Sequence, residues 1–154
     1  MMTISSKVIA VLKGKTLVTA ESLTGGGIGS ALTAVSGSSA VYKGGIISYT
    51  NWVKETILGV EGALLENHGA VSAPVAKAMA EGVRKLLQAD VAVSVTGLAG
   101  PGGDEFGNPV GTVFIGYADG HQSRVKHCLF SGDRESIRKQ TAEEALKLIL
   151  KNNA

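Results

Sequence analysis

The stretch TLVTAESLTGGGIGSALTAV, Thr16 to Val35, sets the fold. Its first five residues are β-branched or apolar and read as a buried strand, three glycines at 25–27 make a turn, and GIGSALTAV continues as an apolar helix. A strand that passes through a glycine turn into a helix is the opening unit of an α/β protein. The free N–H groups at such a turn can receive an anion. A dinucleotide is a poor match for it. Gly25 and Gly27 fit the first two places of G-x-G-x-x-G, but the third falls on Ser30, and no Asp or Glu lies between Glu21 and Glu55 to bind a ribose. The P-loop pattern occurs nowhere in the chain.

Working outward, Thr3 to Lys13 carries Ile4, Val8, Val11 and Leu12 at helical spacing, and Gly14 ends that helix. GIISYT, Gly45 to Thr50, reads as a second strand followed by helix. Ser72 caps a further helix with Pro74 in its first turn and an apolar stripe of Val75, Met79, Val83 and Leu86. DVAVSVTG is a buried strand. Gly97 to Gly111 holds two of the three prolines and is neither helix nor strand; a loop this long in a compact domain is usually functional. A hairpin turning at Asp119-Gly120 follows, and Asp133 caps a last helix that buries Ile137, Ala145, Leu148 and Ile149. Strands alternating with helices, plus one hairpin, predict a three-layer α/β/α sandwich around a mixed, mostly parallel sheet.

At 154 residues the chain is one domain long. Its 44% hydrophobic and 18% charged content is that of a globular protein, and a net charge of +2 spread along the sequence gives no footprint for nucleic acid. A single cysteine, Cys128, excludes an internal disulfide and a cysteine-based zinc site. His68, His121 and His127 are too scattered to be a ligand set, so no metal is expected. No apolar run reaches membrane-spanning length and the amino terminus lacks a signal-peptide pattern, which points to the cytoplasm.

The chemistry concentrates in SGSSAVYKGGIISYTNWVK, Ser36 to Lys54. Ser39 follows a glycine turn, Tyr49 ends a strand and Lys54 lies in the next helix, separated by ten and five residues. A serine hydroxyl needs an adjacent base, and a lysine serves only if its pKa falls. Burial among Trp52, Val53 and Ile57, with a helix starting near Asn51, is expected to disfavour the ammonium of Lys54. Tyr49 is placed to pass the proton or orient the amine, and N–H groups around Gly37 to Ala40 to hold an oxyanion. Spacing alone also accommodates a plainer arrangement, with Ser39 as a cap, Tyr49 packed and Lys54 in water. Short-chain dehydrogenases use Y-x-x-x-K, and here Val53 stands where the lysine would be.

The segments TAESLTGG, SGSSAVYKGGIISYTNWVK, HGAVSAPVA, SVTGLAGPGG, PVGTVFIG and GDRESIRKQT, in this order, resemble the CinA C-terminal domain family, the PncC-type nicotinamide mononucleotide amidohydrolases. The resemblance runs from about Val18 to the last helix and is that of the stand-alone form, a single domain over 1–154. It implies hydrolysis of the carboxamide of nicotinamide mononucleotide (NMN) to nicotinate mononucleotide and ammonia, without metal or other cofactor. It also implies Ser39, Tyr49 and Lys54 as the catalytic residues. The expected partner is a small mononucleotide, with no nucleic acid and no membrane; homo-oligomer formation stays open. Candidates for binding it are Thr24, Gly25 and Gly26 of the glycine turn, Thr96, Gly97 and Gly100 of the long loop, and Arg134 and Arg138, one turn apart on one helix face. The family usually reads A-E-S-C-T-G-G, and this chain has Leu23 in place of the cysteine. That departure keeps a second expectation in play, a family member that binds a nucleotide without hydrolysing it.

Overall fold

A computed structural model describes residues 2–154. Thr3 caps α1 (Ile4–Val11) by accepting from the Ser6 N–H. The predicted strand–turn–helix follows as β1 (Leu17–Glu21) and α2 (Gly27–Thr33). Between them the backbone turns through Gly25 and Gly26 at φ of 56° and 101°, a region that glycine enters without steric cost. A single 3-10 turn at Ser38–Ala40 leads into β2 (Tyr42–Ile47), which starts three residues earlier than Gly45. Three helices follow: α3 (Asn51–Thr56), α4 (Gly62–His68) and α5 (Ala73–Leu86). Then come β3 (Val91–Gly97), the hairpin β4 (Thr112–Ala118) and β5 (Ser123–Leu129), and α6 (Arg134–Asn153). Asp133 caps α6 as expected, accepting from Ser136 N–H at 2.8 Å.

The five strands lie in the order β2-β1-β3-β4-β5. β1 pairs in parallel with β2 and with β3, whereas β3–β4 and β4–β5 are antiparallel, so the sheet is mixed. Helices α1, α2 and α6 pack on one face and α5, flanked by α4, covers the other, which makes the three layers. Strand pleating divides the core accordingly. Leu17, Val91, Val93 and Val95 point toward α2 and α6, while Val18, Ala20 and Ala92 meet Val75, Met79 and Val83 of α5. Leu86 departs from the expected stripe and is exposed, because α5 ends beside it. In the middle of β4, opposite Ser94, Gly116 leaves room for the α5 backbone at Ala76, whose carbonyl also accepts from the Ser94 hydroxyl.

The strand order creates one privileged place. From β1 the chain crosses to β2 on one side, and β3 then returns to the opposite side of β1. The carboxyl ends of β1 and β3 therefore sit together with their onward connections diverging, which opens a crevice of the kind that takes ligands in α/β sheets.

Candidate active site

Four segments meet at that crevice: the Ser22–Gly26 turn after β1, Ser48–Thr50 after β2, the Gly97–Gly111 loop after β3, and the first turns of α6. Thr50 starts α3 by accepting from Val53 N–H, and the short helix swings the Lys54 side chain back beneath the strand ends. There its amine donates to the Ser48 carbonyl at 2.8 Å and the Tyr49 carbonyl at 3.3 Å, and it lies 3.2 Å from the Ser22 hydroxyl. Lys54 is 1% exposed. With no carboxylate among the described residues bonded to it, burial is uncompensated and lowers its pKa from 10.5 to about 8. The expected depression is present but its surroundings differ: Trp52 is 66% exposed and Ile57 is also exposed, so neither buries the amine. Leu58 and Val60 are buried close behind Lys54 in the chain, and the Lys54 carbonyl accepts from Val60 N–H.

Ser39 is elsewhere. It is exposed in the 3-10 turn that precedes β2, whereas Lys54 is bonded to Ser48 just beyond the other end of that strand. Six residues of extended chain separate these poles by roughly 20 Å. Within one chain the Ser39–Lys54 pairing is thus corrected, and Ser22 is the serine that meets the amine. The N–H groups around Gly37–Ala40 lie at the same far pole.

The turn carrying Ser22 is held rigidly from below. Glu21, 2% exposed, accepts from the Thr24 hydroxyl at 2.6 Å, Ile28 N–H at 2.8 Å and Gly29 N–H at 3.0 Å. Its carboxylate therefore ties the end of β1 to the start of α2. The N–H groups of Leu23, Thr24 and Gly26 donate to no acceptor among the described residues, leaving three donors in the turn that follows Ser22. Leu23 itself points into the core with Ile28 and Ile137 and so stands apart from the Lys54 amine.

The remaining expected residues gather at this pole, bonded as follows. Arg138 donates through Nε to the Leu23 carbonyl at 2.9 Å and through Nη2 to the Thr24 carbonyl at 3.2 Å, packing close to Gly25 and bracing the turn. Arg134 reaches the Gly100 carbonyl at 2.7 Å and the Tyr49 hydroxyl at 3.2 Å, which ties the long loop to the end of β2. Tyr49 contributes its carbonyl to Lys54, and its ring is exposed. Thr96 donates to the Ala70 carbonyl, and Gly97 lets β4 approach at Thr112. Beside Thr96 a groove of about 450 Å³ opens between Leu65, Gly69 to Val71, Leu98 and Phe106, with the carboxylates of Asp104 and Glu105 in its lining. Cys128 is a free thiol whose burial raises its pKa, and among the described residues no three His, Cys, Asp or Glu side chains are arranged to hold a metal.

Sequence reasoning missed Ser22, Glu21 and Ser48. The available signal was positional: AES closes the first strand directly before the glycine turn, where crevice residues of α/β sheets lie.

Fold and crevice define an α/β protein with a serine and a buried lysine at its topological switch point. Comparison with known sequences then identifies the family. The CinA C-terminal domain model matches residues 2–152, and the chain belongs to that family. It is 50% identical over 134 residues to a CinA-like protein of Geobacter sulfurreducens, and 50% identical over 150 residues to one of Rippkaea orientalis. Those matches take in 87% and 94% of this chain but 32% and 36% of the relatives, so it spans about a third of their length. Solved structures match at nearly full length. The competence/damage inducible protein CihA of Agrobacterium tumefaciens is 37% identical with a TM-score of 0.94, covering 98% of this chain and 94% of that one. The competence or damage-inducible protein of Enterobacter asburiae is 31% identical with a TM-score of 0.95 and covers 100% of both chains. Among the described residues no helix is long and apolar enough to cross a membrane.

Proposed function

We propose that the chain is a serine-type amidohydrolase that deamidates NMN to nicotinate mononucleotide and ammonia, with Ser22 as nucleophile and Lys54 as its base. The observation that carries this reading is the 3.2 Å contact between the Ser22 hydroxyl and a buried amine whose pKa burial lowers to about 8. The neutral amine of Lys54 takes the Ser22 proton as Oγ attacks the carboxamide carbon. The free N–H groups of the Leu23–Gly26 turn are placed to hold the developing oxyanion, since one of them belongs to the residue after the nucleophile. Collapse breaks the C–N bond as the proton held by Lys54 is delivered to the leaving nitrogen, so ammonia departs, the amine is neutral again and an acyl ester remains on Ser22. Water, deprotonated by the same lysine, hydrolyses it. The choice of NMN among amides rests on the resemblance of the sequence to the PncC-type enzymes.

The test is ammonia release from NMN by the wild type and by Ser22→Ala, Lys54→Ala and Ser39→Ala. Either dyad substitution should lower kcat by roughly a thousandfold or more, and the double variant should be little worse, because such groups act as a unit. Ser39→Ala should turn over normally. Inactive Ser39→Ala beside active Ser22→Ala would overturn this assignment, and tight NMN binding without turnover in the wild type would make the chain a non-hydrolysing binder. Free nicotinamide plus ribose phosphate as products would show glycosidic cleavage instead.

A further inference from the structure

Ser48 is 0% exposed, and its hydroxyl makes no hydrogen bond with any described group. Proteins seldom leave a buried hydroxyl unpartnered, because the water it gave up is not replaced. Both neighbouring backbone groups of Ser48 belong to the site. Its N–H donates to the Glu21 carbonyl at 2.8 Å, and its carbonyl accepts from the Lys54 amine at 2.8 Å. Glu21 pairs with Ile47 in the β1–β2 register, so the next residues along, Ser22 and Ser48, are neighbours. Pleating puts Ser22 on the face of Val18 and Ala20, and Ser48 on the face of Ile46, which is the same face of the sheet.

Amide hydrolysis poses a demand that the Ser22–Lys54 pair meets poorly alone. Amide ion is too basic to leave, so the nitrogen must be protonated as its bond to carbon breaks. Once Lys54 holds the serine proton, its three N–H bonds face the Ser22 oxygen and the carbonyls of Ser48 and Tyr49. None is directed at a departing nitrogen.

We propose that the Ser48 hydroxyl is a second catalytic hydroxyl, which relays the proton from Lys54 to the leaving nitrogen; this rests on the Ser22–Lys54 reading. The ammonium turns from the carbonyl of Ser48 to its hydroxyl and donates there, while Ser48 gives its own proton to the carboxamide nitrogen. The C–N bond breaks with its electron pair going to nitrogen, ammonia departs, and Ser48 and Lys54 are both neutral beside the acyl ester. In deacylation the relay runs backward: water loses a proton through Ser48 to Lys54, its oxygen bonds to the acyl carbon, and Lys54 returns a proton to Ser22 Oγ as the ester bond breaks.

The experiment compares wild type, Ser22→Ala and Ser48→Ala on NMN and on the p-nitrophenyl ester of nicotinate mononucleotide, whose leaving group departs without a proton. Burst kinetics isolate the acylation step. For Ser48→Ala the acylation rate on NMN should fall roughly a hundredfold. On the aryl ester it should stay within a few fold of wild type. Because the substitution removes an unpartnered buried hydroxyl, its Tm should equal or exceed that of wild type, by up to about 2–4 °C. Near-normal turnover of NMN by Ser48→Ala, or an equal loss on both substrates, overturns the relay while leaving the dyad standing. A lowered Tm assigns Ser48 a packing role and also overturns it. If wild type fails on NMN, or Ser22→Ala keeps its activity, the dyad itself falls and the relay falls with it.

Discussion

Lys54 is buried with no counter-ion among the described residues, and stability should turn on its amine as the proposed chemistry does. Burial lowers the Lys54 pKa from 10.5 to about 8. The unfolded chain therefore holds more protons than the folded one between about pH 8 and 10.5. Stability must rise with pH across that window, and below about pH 8 the full penalty of a buried ammonium is present. Lys54→Met removes the amine while keeping much of its bulk. Its unfolding midpoint should show a smaller gain between pH 8 and 10 than wild type, as urea titrations at those two pH values will reveal. The proposed catalysis should follow the same titration. If Lys54 acts as a neutral base, as proposed, kcat should rise tenfold per pH unit below its pKa in the complex and level off above it. A flat profile from pH 6 to 9 would make Lys54 a fixed cation instead of a base. Leu23 permits a milder test. Its side chain lies in the core, apart from the amine, so Leu23→Cys should change kcat/KM by no more than about tenfold, or about 1.4 kcal/mol in barrier.

At the scale of the element, the Ser22 turn is a joint made rigid by a neighbouring carboxylate. Glu21→Gln keeps the shape but puts an amide NH₂ where one oxygen accepted from the α2 backbone, leaving a buried donor facing a donor. We expect a loss of about 1–3 kcal/mol in urea unfolding and a lower kcat, since the turn that presents Ser22 loosens. Unchanged stability would mean that the joint is held by Arg138 alone. Elements of this kind were legible in the sequence wherever one periodicity governed them. The β1-turn-α2 unit, the hairpin at Asp119 and the Asp133 cap were each readable from a handful of adjacent residues. The Ser22–Lys54 contact was not, because 32 residues separate the pair and only the crossover geometry of β1 and β2 brings them together. A serine nearer in sequence, Ser39, had the better spacing but lies at the opposite end of the same strand. Spacing along a chain measures reach within one turn or helix; across a strand it measures distance.

Across the whole molecule the sheet order decides which loops share a pole, and no periodicity reveals that order. The expected layers follow from amphipathic elements, yet the switch point between β1 and β3 exists only once β3 is known to lie beyond β1. The donor inventory makes a molecular prediction as well: with no cluster fit for a metal among the described residues, ammonia release should survive exhaustive EDTA treatment. Loss on chelation with recovery on added zinc would contradict it. A further consequence belongs to α6, which follows every strand yet supplies Arg134 and Arg138 to the turns around Ser22 and Tyr49. During synthesis Ser22 and Lys54, the pair proposed to react, leave the ribosome before α6, and the arginines that brace their turns follow with that helix. On the proposed mechanism, a nascent chain halted before α6 should release no ammonia although Ser22 and Lys54 have emerged, so α6 would set when the site becomes competent.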